Sequence, residues 1–384
     1  MRVSKWVALI TVILFSMSII AGCGGGSGGT TPAGGEEIRI GLIAPLTGDV
    51  KTFGESVKNA FEMAMEEVDY KVGDFTIKVF IEDDRNMATE AVNVADKLIT
   101  QNKVSAIVGS VTSSSTIPIS EVAQANSVVL ITPTATNPKV TVDAARKDFV
   151  FRACFIDPFQ GTVAARFALT ELNAKTAAVL YDQGNDYTIG LKDFFKESFV
   201  AGGGQMLAEE AYTKNDTDFS AVLTRIAQQK PDVLFLPDYY QKASLIGKQA
   251  RDKGITATFV GGDGWDSPEL DFVAMDGGYH TNHYSADDPR PEVQEWVAKY
   301  TAKHGQTPDA LGTLAYDATK LLLKAIEDAG STDPAAIRDA MKALNGFGVV
   351  SGSITFDENG NPIKSAAILQ IKDGTQKFIT IVNP

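Results

Sequence analysis

Hydroxyl-bearing side chains are concentrated in one short stretch, Gly109-Ser110-Val111-Thr112-Ser113-Ser114-Ser115-Thr116. The stretch follows a predicted buried strand over 104–108 and leads into a helix that we expect to carry Pro118 in its first turn. The first backbone N–H groups of a helix have no intrahelical acceptor, so this junction is suited to binding a carboxylate or a phosphate. A helix cap accounts for one such hydroxyl and leaves the others unexplained.

A single carboxylate lies among glycines in Gly261-Gly262-Asp263-Gly264-Trp265, directly after a predicted strand over 258–260. Two other predicted strands, over 177–181 and 233–236, are followed by Tyr187 and Tyr239. In parallel α/β sheets the loops at the carboxyl ends of the strands form the ligand site. We therefore expect a cation acceptor and aromatic surface near the hydroxyl-rich stretch.

A further polar turn, Pro133-Thr134-Ala135-Thr136-Asn137-Pro138, follows a predicted strand over 128–132. Its two prolines stiffen the turn, and Thr136 offers a hydroxyl beside a backbone amide. By itself this pattern indicates only a turn, but its position predicts that it borders the same site.

Predicted strands and helices alternate along most of the chain. The strand over 38–44 is apolar, and the next helix carries one apolar stripe at spacings of three and four residues, formed by Val57, Ala60, Phe61, Ala64, Met65 and Val68. The length of 384 residues favours two domains. We therefore predict an α/β protein with two Rossmann-like lobes, each a mostly parallel sheet flanked by helices.

The C-terminal end changes character. Predicted strands over 352–356, 366–372 and 377–382 are joined by Glu358-Asn359-Gly360-Asn361 and Asp373-Gly374, sequences typical of hairpin turns. We therefore expect the chain to end in antiparallel hairpins.

The N-terminus has the features of an export signal. Arg2 and Lys5 precede an apolar run over 6–20, which ends in Ala21-Gly22-Cys23. This ending resembles a bacterial lipobox, which implies cleavage after residue 22 and lipid attachment to Cys23. An ordinary signal peptide and an uncleaved anchor are the alternatives. Residues 23–36 are mainly Gly, Ser, Thr, Pro and Ala, a composition typical of a flexible tether.

Charge and cysteine content exclude several classes of protein. The formal net charge of −13 becomes −15 once Arg2 and Lys5 are removed with the signal, and such an acidic surface repels nucleic acid and anionic lipid. Cys154 is the only cysteine besides Cys23, so no internal disulfide is expected. Its apolar surroundings over 149–155 predict a buried packing role.

Motifs for catalysis are missing from the sequence. It contains neither a Gly-x-Ser-x-Gly elbow nor a phosphate-binding loop, and the first strand is not followed by a dinucleotide-binding glycine pattern. His280 and His283 have a spacing that suits a metal only on a helix, whereas the flanking residues indicate strand and loop. We therefore expect neither an enzyme nor a cofactor or metal.

The chain from Glu37 to about Phe356 resembles the leucine/isoleucine/valine-binding branch of the periplasmic binding proteins. The matching motifs are Pro45-Leu46-Thr47-Gly48, Ser113-Ser114-Ser115-Thr116 and Ala135-Thr136-Asn137-Pro138. The resemblance implies an extracytoplasmic receptor that binds an amino acid, branched-chain or another hydrophobic aliphatic one, and delivers it to an ABC permease and its ATPase.

The resemblance also implies roles for individual residues. Ser113 and Thr136 would bind the ligand α-carboxylate with help from the Ser115 amide, and Asp263 would bind the α-ammonium. The remaining implied contacts are backbone groups of the second polar turn and aromatic rings, namely Thr134, Ala135, Tyr187, Tyr239 and Phe53.

Some positions depart from the family pattern. Relatives that have a disulfide in the first lobe carry it where this chain has Asn86 and Thr112. Asp263 is shorter than the Glu of some members, which would move the ammonium or admit water. Trp265 and Leu311 near the pocket would alter the preference for the ligand side chain.

The implied architecture has discontinuous lobes. Lobe 1 comprises 37–155 and 287–346, and lobe 2 comprises 156–286 and 347–384, with hinge crossings near Cys154, Asp287 and Gly346. Ligand binding would shift the population toward the closed form. We expect a monomer.

Two alternatives remain open at this point. A sensor domain that passes its signal to a chemoreceptor or kinase would share these features. A different solute, namely an amide, urea or an aromatic carboxylate, would also fit the fold.

Overall fold

Strands and helices alternate through residues 36–384, the part of the chain that this computed structural model describes. The strands are β1 (Glu37–Ala44), β2 (Lys71–Val72), β3 (Phe75–Asp83), β4 (Ala106–Val108), β5 (Val129–Thr132), β6 (Val150–Arg152), β7 (Thr176–Asp182), β8 (Gln205–Tyr212), β9 (Val233–Leu236), β10 (Thr258–Gly261), β11 (Tyr279–Asn282), β12 (Phe347–Val349), β13 (Gly352–Ile354), β14 (Ala366–Lys372) and β15 (Thr375–Val382). The helices are α1 (Lys51–Glu66), α2 (Ala88–Lys97), α3 (Ser113–Ala125), α4 (Asp157–Thr170), α5 (Asp186–Ala201), α6 (Ser220–Gln229), α7 (Tyr240–Asp252), α8 (Pro291–His304), α9 (Ala310–Ala329) and α10 (Pro334–Ala343).

The first sheet has the order β2-β3-β1-β4-β5-β6 and is parallel except for the β2–β3 pair. β1 is mostly apolar because it is central and covered on both faces, by α1 on one side and by α2 on the other. The strand order reverses at β1, so the loops after β1 and β4 diverge and leave a crevice between them.

The second sheet has the order β15-β14-β11-β10-β9-β7-β8. It is parallel from β8 to β11, whereas β14 and β15 add antiparallel strands at one edge. The strands β7, β9 and β10 place their carboxyl ends together, and the segments that follow them carry Tyr187, Tyr239 and Asp263. The prediction of two mostly parallel sheets flanked by helices is confirmed.

The prediction for the C-terminal end is partly wrong. β14 and β15 form the expected hairpin, but β13 pairs with β12 in a separate two-stranded ribbon. The turn at 358–361 closes only an isolated bridge between Phe356 and Pro362. The sequence marks the turn correctly, but it does not show which strand β13 pairs with.

Residues 347–362 contact elements that belong to the first sheet or pack against it. The amide of Val350 donates to Asp317 of α9 at 2.9 Å, and the rings of Phe151 and Phe356 have centroids 5.3 Å apart. These contacts place residues 350 and 356 beside the first sheet, and the crossing near Gly346 stays a prediction.

The helix after the hydroxyl-rich stretch begins earlier than predicted. α3 starts at Ser113, so Pro118 lies inside the helix and not in its first turn. The hydrogen bond that proline cannot make is the one to the carbonyl of Ser114, close to the helix start. The serines therefore belong to the first turn of α3 and point their amides at the crevice.

Two further predictions concern the body of the chain. Cys154 is fully buried and unpaired, as expected, and burial raises the pKa of its thiol to about 12. Within residues 36–384 no helix has the length and apolarity needed to cross a bilayer. The predicted signal segment and Cys23 lie outside the described residues.

Candidate functional site

A cavity with about 270 Å³ of empty space lies between the two sheets, where the loops at their carboxyl ends meet. Residues from both halves of the chain line it, namely Phe53, Val111, Thr112, Ser113, Thr134, Thr136, Tyr187, Tyr239, Asp263, Gly264 and Leu311. The structure therefore brings together most of the residues that the sequence singled out, although they come from seven different loops or helix starts.

One wall of the cavity is the start of α3. Thr112 precedes the helix, yet its hydroxyl donates to Asn86 at 2.8 Å and does not cap the helix. The first amides of α3 are thus left for another acceptor. The Ser113 hydroxyl accepts from the amide of Asn137 at 3.3 Å, so its own proton is available to a ligand. This wall presents neutral donors to an anion.

The contact between Thr112 and Asn86 also bears on the departure from the family pattern. The two residues lie side by side, at the positions where the resemblance implies a disulfide in some relatives. A hydrogen bond thus joins the loop after β3 to the start of α3 in this chain.

The polar turn after β5 forms the neighbouring part of the same wall, and a buried cation holds it in place. The Arg152 guanidinium donates to the carbonyls of Ala135 and Asn137 at 2.7 and 3.0 Å. The Thr134 hydroxyl donates to the carbonyl of Val111 at 2.7 Å. With these groups engaged, the Thr136 side chain remains on the cavity wall. Arg152 is fully buried, and burial lowers its pKa.

The opposite wall carries the acid. One oxygen of Asp263 accepts from the Tyr187 hydroxyl at 2.9 Å, and the other lies 3.0 Å from Nε2 of His283. The amide of Asp263 donates to Gln160 at 2.8 Å. Each carboxylate oxygen has a second lone pair, so the acid still accepts hydrogen bonds from a cation in the cavity.

Burial sets the protonation of the partners of Asp263. It raises the pKa of Tyr187 well above its ordinary value, and the nearby negative charge adds to this, so the phenol keeps its proton and donates. Burial lowers the pKa of His283, against the opposing effect of Asp263. The imidazole is therefore neutral near pH 7.

Aromatic and aliphatic side chains close the remaining sides. The rings of Tyr187 and Tyr239 stack with centroids 5.2 Å apart, and Phe53 meets Tyr239 edge to face at 5.8 Å. Val111 and Leu311 complete an apolar surface. The cavity thus combines an anion-binding wall, an acid and an apolar compartment.

Three predicted site residues lie outside the cavity lining. Trp265 is fully buried, and its indole N–H donates to the carbonyl of Leu236 at 3.0 Å, so it supports the turn that carries Asp263. Ala135 is buried beside Arg152. Ser115 is buried in α3 and its hydroxyl has no hydrogen-bond partner among the described residues.

The sequence missed other residues of the site. Val111, Thr112 and Gly264 line the cavity because they flank residues that were recognised. His283 was weighed only as a metal ligand, and Arg152 lies in an apolar strand without a local signal. The one sequence signal for Arg152 is its charge within an apolar strand, because a buried charge requires partners.

Comparison with known proteins identifies the relatives of this chain. The family model described as periplasmic binding protein matches residues 37–376. The chain belongs to the periplasmic binding protein family. Members of this family are solute-binding proteins that act outside the cytoplasm.

Individual relatives are similar over nearly the whole chain. The Leu/Ile/Val-binding protein BraC3 of Rhizobium johnstonii is 35% identical over 86% of this chain and 90% of its own length. The structure of a leucine binding protein, LivK, from Thermotoga maritima is 38% identical, with a TM-score of 0.87 over 90% of this chain and 99% of that chain. LivJ of Streptococcus pneumoniae, solved in complex with isoleucine, is 29% identical, with a TM-score of 0.85 over 91% and 100%.

This periplasmic binding protein has its two halves in contact across the cleft. The Ser114 hydroxyl accepts from the amide of Asp186 at 3.0 Å and lies 3.0 Å from its carboxylate. The Asn137 amide group donates to the carbonyl of Asp186 at 2.8 Å. Lys214 and Asp49 form an ion pair at 3.6 Å. The structure is therefore a closed form, in which the lobes meet around the cavity.

These contacts predict that closure of the lobes contributes to ligand affinity through residues that do not contact the ligand. Neither Ser114 nor Asp186 lines the cavity, so Ser114→Ala should weaken ligand affinity about fivefold, equivalent to about 1 kcal/mol for a partly exposed hydrogen-bonded pair. Asp186→Ala should do the same, and the double variant should be no weaker than either single variant. Calorimetric titration of the four proteins as a double-mutant cycle measures this coupling.

The matched control for the cycle is Asp193→Ala, which removes another acid of α5 that pairs with Lys192 within the same lobe. It should leave affinity unchanged. Additive losses from Ser114→Ala and Asp186→Ala would show that the two side chains do not act on each other in the closed form.

Among residues 36–384 no group of three or more His, Cys, Asp and Glu side chains is arranged to hold a metal ion. His280, in β11, and His283, which directly follows β11, have other partners. His280 contacts Gln376 at 3.1 Å, and His283 contacts Asp263.

Proposed function

We propose that this protein binds an amino acid, branched-chain or another hydrophobic aliphatic one, between its lobes and delivers it to an ABC permease. The observation that carries the proposal is the pairing of opposite chemistries across one small cavity. Neutral donors around Ser113 and Thr136 face Asp263, and apolar side chains fill the space beside them. A zwitterion with an apolar side chain matches all three surfaces.

The head group of the ligand explains why the two polar walls differ. A carboxylate gains hydrogen bonds from the start of α3 without needing a positive side chain in direct contact. An ammonium group requires an anionic acceptor in a site from which water is excluded. Asp263 is 5% exposed, so it provides such an acceptor.

The apolar compartment supports an aliphatic side chain. Phe53, Val111 and Leu311 offer carbon surface without charge on the cavity wall. A charged side chain would be buried there without a partner, at a cost of several kcal/mol. Similarity to proteins named for leucine, isoleucine and valine supports the same conclusion.

Titration calorimetry with a panel of solutes tests the proposal. The protein from residue 36 onward should bind leucine, isoleucine or valine more tightly than arginine, leucine amide, benzoate or urea. Thermal unfolding gives an independent measure, since a ligand at 100 times its Kd adds about 2.7 kcal/mol of stability. A best ligand that lacks either the amine or the carboxylate would contradict the proposal.

Delivery to a permease requires a difference between the open and closed forms. Ser113 and Thr136 lie on first-sheet loops, whereas Tyr187, Tyr239 and Asp263 follow second-sheet strands. A ligand gains both sets of contacts only when the lobes close, so ligand binding shifts the population toward the closed form. We infer that a permease recognises this form. Loss of amino-acid uptake in cells lacking the protein would support import, and intact uptake would favour a sensing role.

We also propose that the receptor is anchored to the membrane through lipid on Cys23, after cleavage of residues 1–22. The support is the charged start, the apolar run and the Ala21-Gly22-Cys23 ending.

A substitution at the anchor gives the corresponding prediction. Cys23→Ser should move the protein from the membrane fraction to the soluble extracytoplasmic fraction, because a serine hydroxyl cannot receive the thioether-linked lipid. Immunoblotting of fractionated cells measures this, with Cys154→Ser as the control that stays in the membrane. Retention of Cys23→Ser in the membrane would indicate an uncleaved anchor.

A further inference from the structure

His283 has no assigned role, although it contacts the acid of the candidate site. It directly follows β11 and is 3% exposed. Its Nε2 lies 3.0 Å from Asp263, on the carboxylate oxygen that Tyr187 does not reach. Tyr187 and His283 therefore each contact one oxygen of the Asp263 carboxylate.

The proton of the imidazole can be assigned from these contacts. Nδ1 of His283 is buried and has no hydrogen-bond partner among the described residues, whereas Nε2 faces an oxygen that only accepts. A neutral ring with its proton on Nε2 satisfies this arrangement, because the opposite tautomer would place two acceptors together.

The ring itself is immobilised by packing. It stacks on Phe155 with centroids 3.8 Å apart and an interplanar angle of 29°. Its backbone amide donates to Asn282 at 2.9 Å. Phe155 lies in the segment that leads from β6 of the first sheet to α4, so the ring rests on a connection between the lobes.

We propose that His283 is a positioning residue for the ligand's ammonium group, which holds the Asp263 carboxylate so that its remaining lone pairs face the cavity. This role rests on the proposed function, because it requires a ligand that carries an ammonium group. It predicts that the neutral ring supports binding and that a protonated ring opposes it, since a fixed cation 3.0 Å from Asp263 would replace the ligand's charge.

Several charged groups face the His283 ring and influence its pKa. Burial has the largest effect and lowers the pKa of His283, and Lys364 from the segment before β14 acts in the same direction. Asp263 and Asp266, from the turn after β10, raise it. Tyr187 of α5 stays neutral. The ring therefore protonates only at a lower pH than an ordinary histidine, and ligand affinity should fall there.

Two substitutions separate positioning from packing. In His283→Gln the amide nitrogen lies as many bonds from Cβ as Nε2 does, so the donor is kept but cannot gain a proton. In His283→Leu the packing surface is kept and the donor is lost. Calorimetric titration with leucine from about pH 7 to about pH 5 compares them with the unchanged protein.

The expected results differ for each protein. At about pH 7, His283→Gln should bind within about threefold of the unchanged protein, and His283→Leu at least about tenfold more weakly. On acidification the unchanged protein should lose affinity, and His283→Gln should lose less. The control His304→Gln, in α8 and away from the cavity, should follow the unchanged protein. Equal losses in the Gln and Leu variants with an unaltered pH profile would overturn the proposal.

Nitrogen-15 NMR of the histidine rings provides a measurement without ligand. The proposal requires the neutral Nε2–H tautomer for His283 at about pH 7, and an Nδ1–H tautomer or an imidazolium would overturn it. If the unchanged protein bound no α-amino acid, the proposed function itself would fail, and the role of His283 with it. That outcome differs from binding that is insensitive to substitution at His283.

Discussion

Replacement of Asp263 by alanine is expected to weaken leucine binding at least about 30-fold, because truncation of one partner of a buried charge pair costs about 2–5 kcal/mol. Among residues 36–384, Asp263 is the only acid that lines the cavity, and the other lining side chains are neutral or apolar. A second buried acid nearby, Asp157, lies outside the cavity lining, and burial raises its pKa to about 7. Calorimetric titration of the variant with leucine measures the loss.

A second variant separates the charge from the shape of the side chain. Asp263→Asn keeps the size of the residue and one acceptor for the Tyr187 hydroxyl, but it removes the negative charge. It should bind leucine nearly as weakly as Asp263→Ala. Affinity close to that of the unchanged protein would mean that the acid shapes the cavity and does not bind a cation.

Asp193→Ala is the matched control for both variants. It changes the net charge of the protein by the same amount, but its carboxylate lies on α5 beside Lys192 and away from the cavity. It should leave affinity unchanged. A comparable loss in this control would assign the effect to the overall charge of the protein.

Replacement of Arg152 by lysine is expected to lower the free energy of unfolding by about 2–4 kcal/mol, because buried acceptors that lose their donor cost about 1–3 kcal/mol each. The guanidinium serves three acceptors, namely the carbonyls of Ala135 and Asn137 and the hydroxyl of Thr141 at 3.1 Å. A single ammonium group cannot reach all three in the same geometry. Urea unfolding of the ligand-free protein measures the change.

The same substitution should also weaken leucine binding, since the turn that carries Thr136 loses its support. The control is Arg225→Lys, whose guanidinium pairs with Glu210 on the protein surface. It should change neither stability nor affinity measurably. If Arg152→Lys unfolded like the unchanged protein, the buried guanidinium would contribute little to holding the turn.

Much of the site follows from two properties of the sequence. The alternation of strands and helices predicts parallel sheets, and parallel strands bring their carboxyl ends to one edge. Polar residues that follow β4 and β5 therefore meet at one edge of the first sheet, and Asp263 lies at the corresponding edge of the second sheet. Ser113, Thr136 and Asp263 could be identified in this way, and the structure places all three on one cavity.

Other features depend on tertiary contacts that leave no local pattern. Trp265 follows Asp263 closely in sequence, but its indole N–H is directed at Leu236, so it faces the core and not the cavity. His283 meets Asp263 only because β10 and β11 are neighbours in the sheet. Arg152 lies in an apolar strand, where its acceptors come from a turn that precedes it by many residues.

The predicted bounds and pairing of helices and strands also depend on tertiary contacts. Pro118 predicted a helix that starts just before it, yet α3 begins at Ser113, because the proline lacks only the bond to a carbonyl at the helix start. The last part of the chain carries correct turn signals, but β13 pairs with β12 because the ribbon packs on α9. Tertiary packing thus determines which strand β13 pairs with, which local sequence propensity does not specify.

The most direct test of the account compares leucine with two truncated analogues by calorimetric titration of the unchanged protein. 4-Methylpentanoate keeps the carboxylate and the side chain, and 3-methylbutylamine keeps the ammonium group and the side chain. Recognition by Ser113 and Thr136 on one wall and by Asp263 on the other predicts that each analogue binds at least about 30-fold more weakly than leucine. Binding of either analogue as tightly as leucine would contradict a site built for both charges.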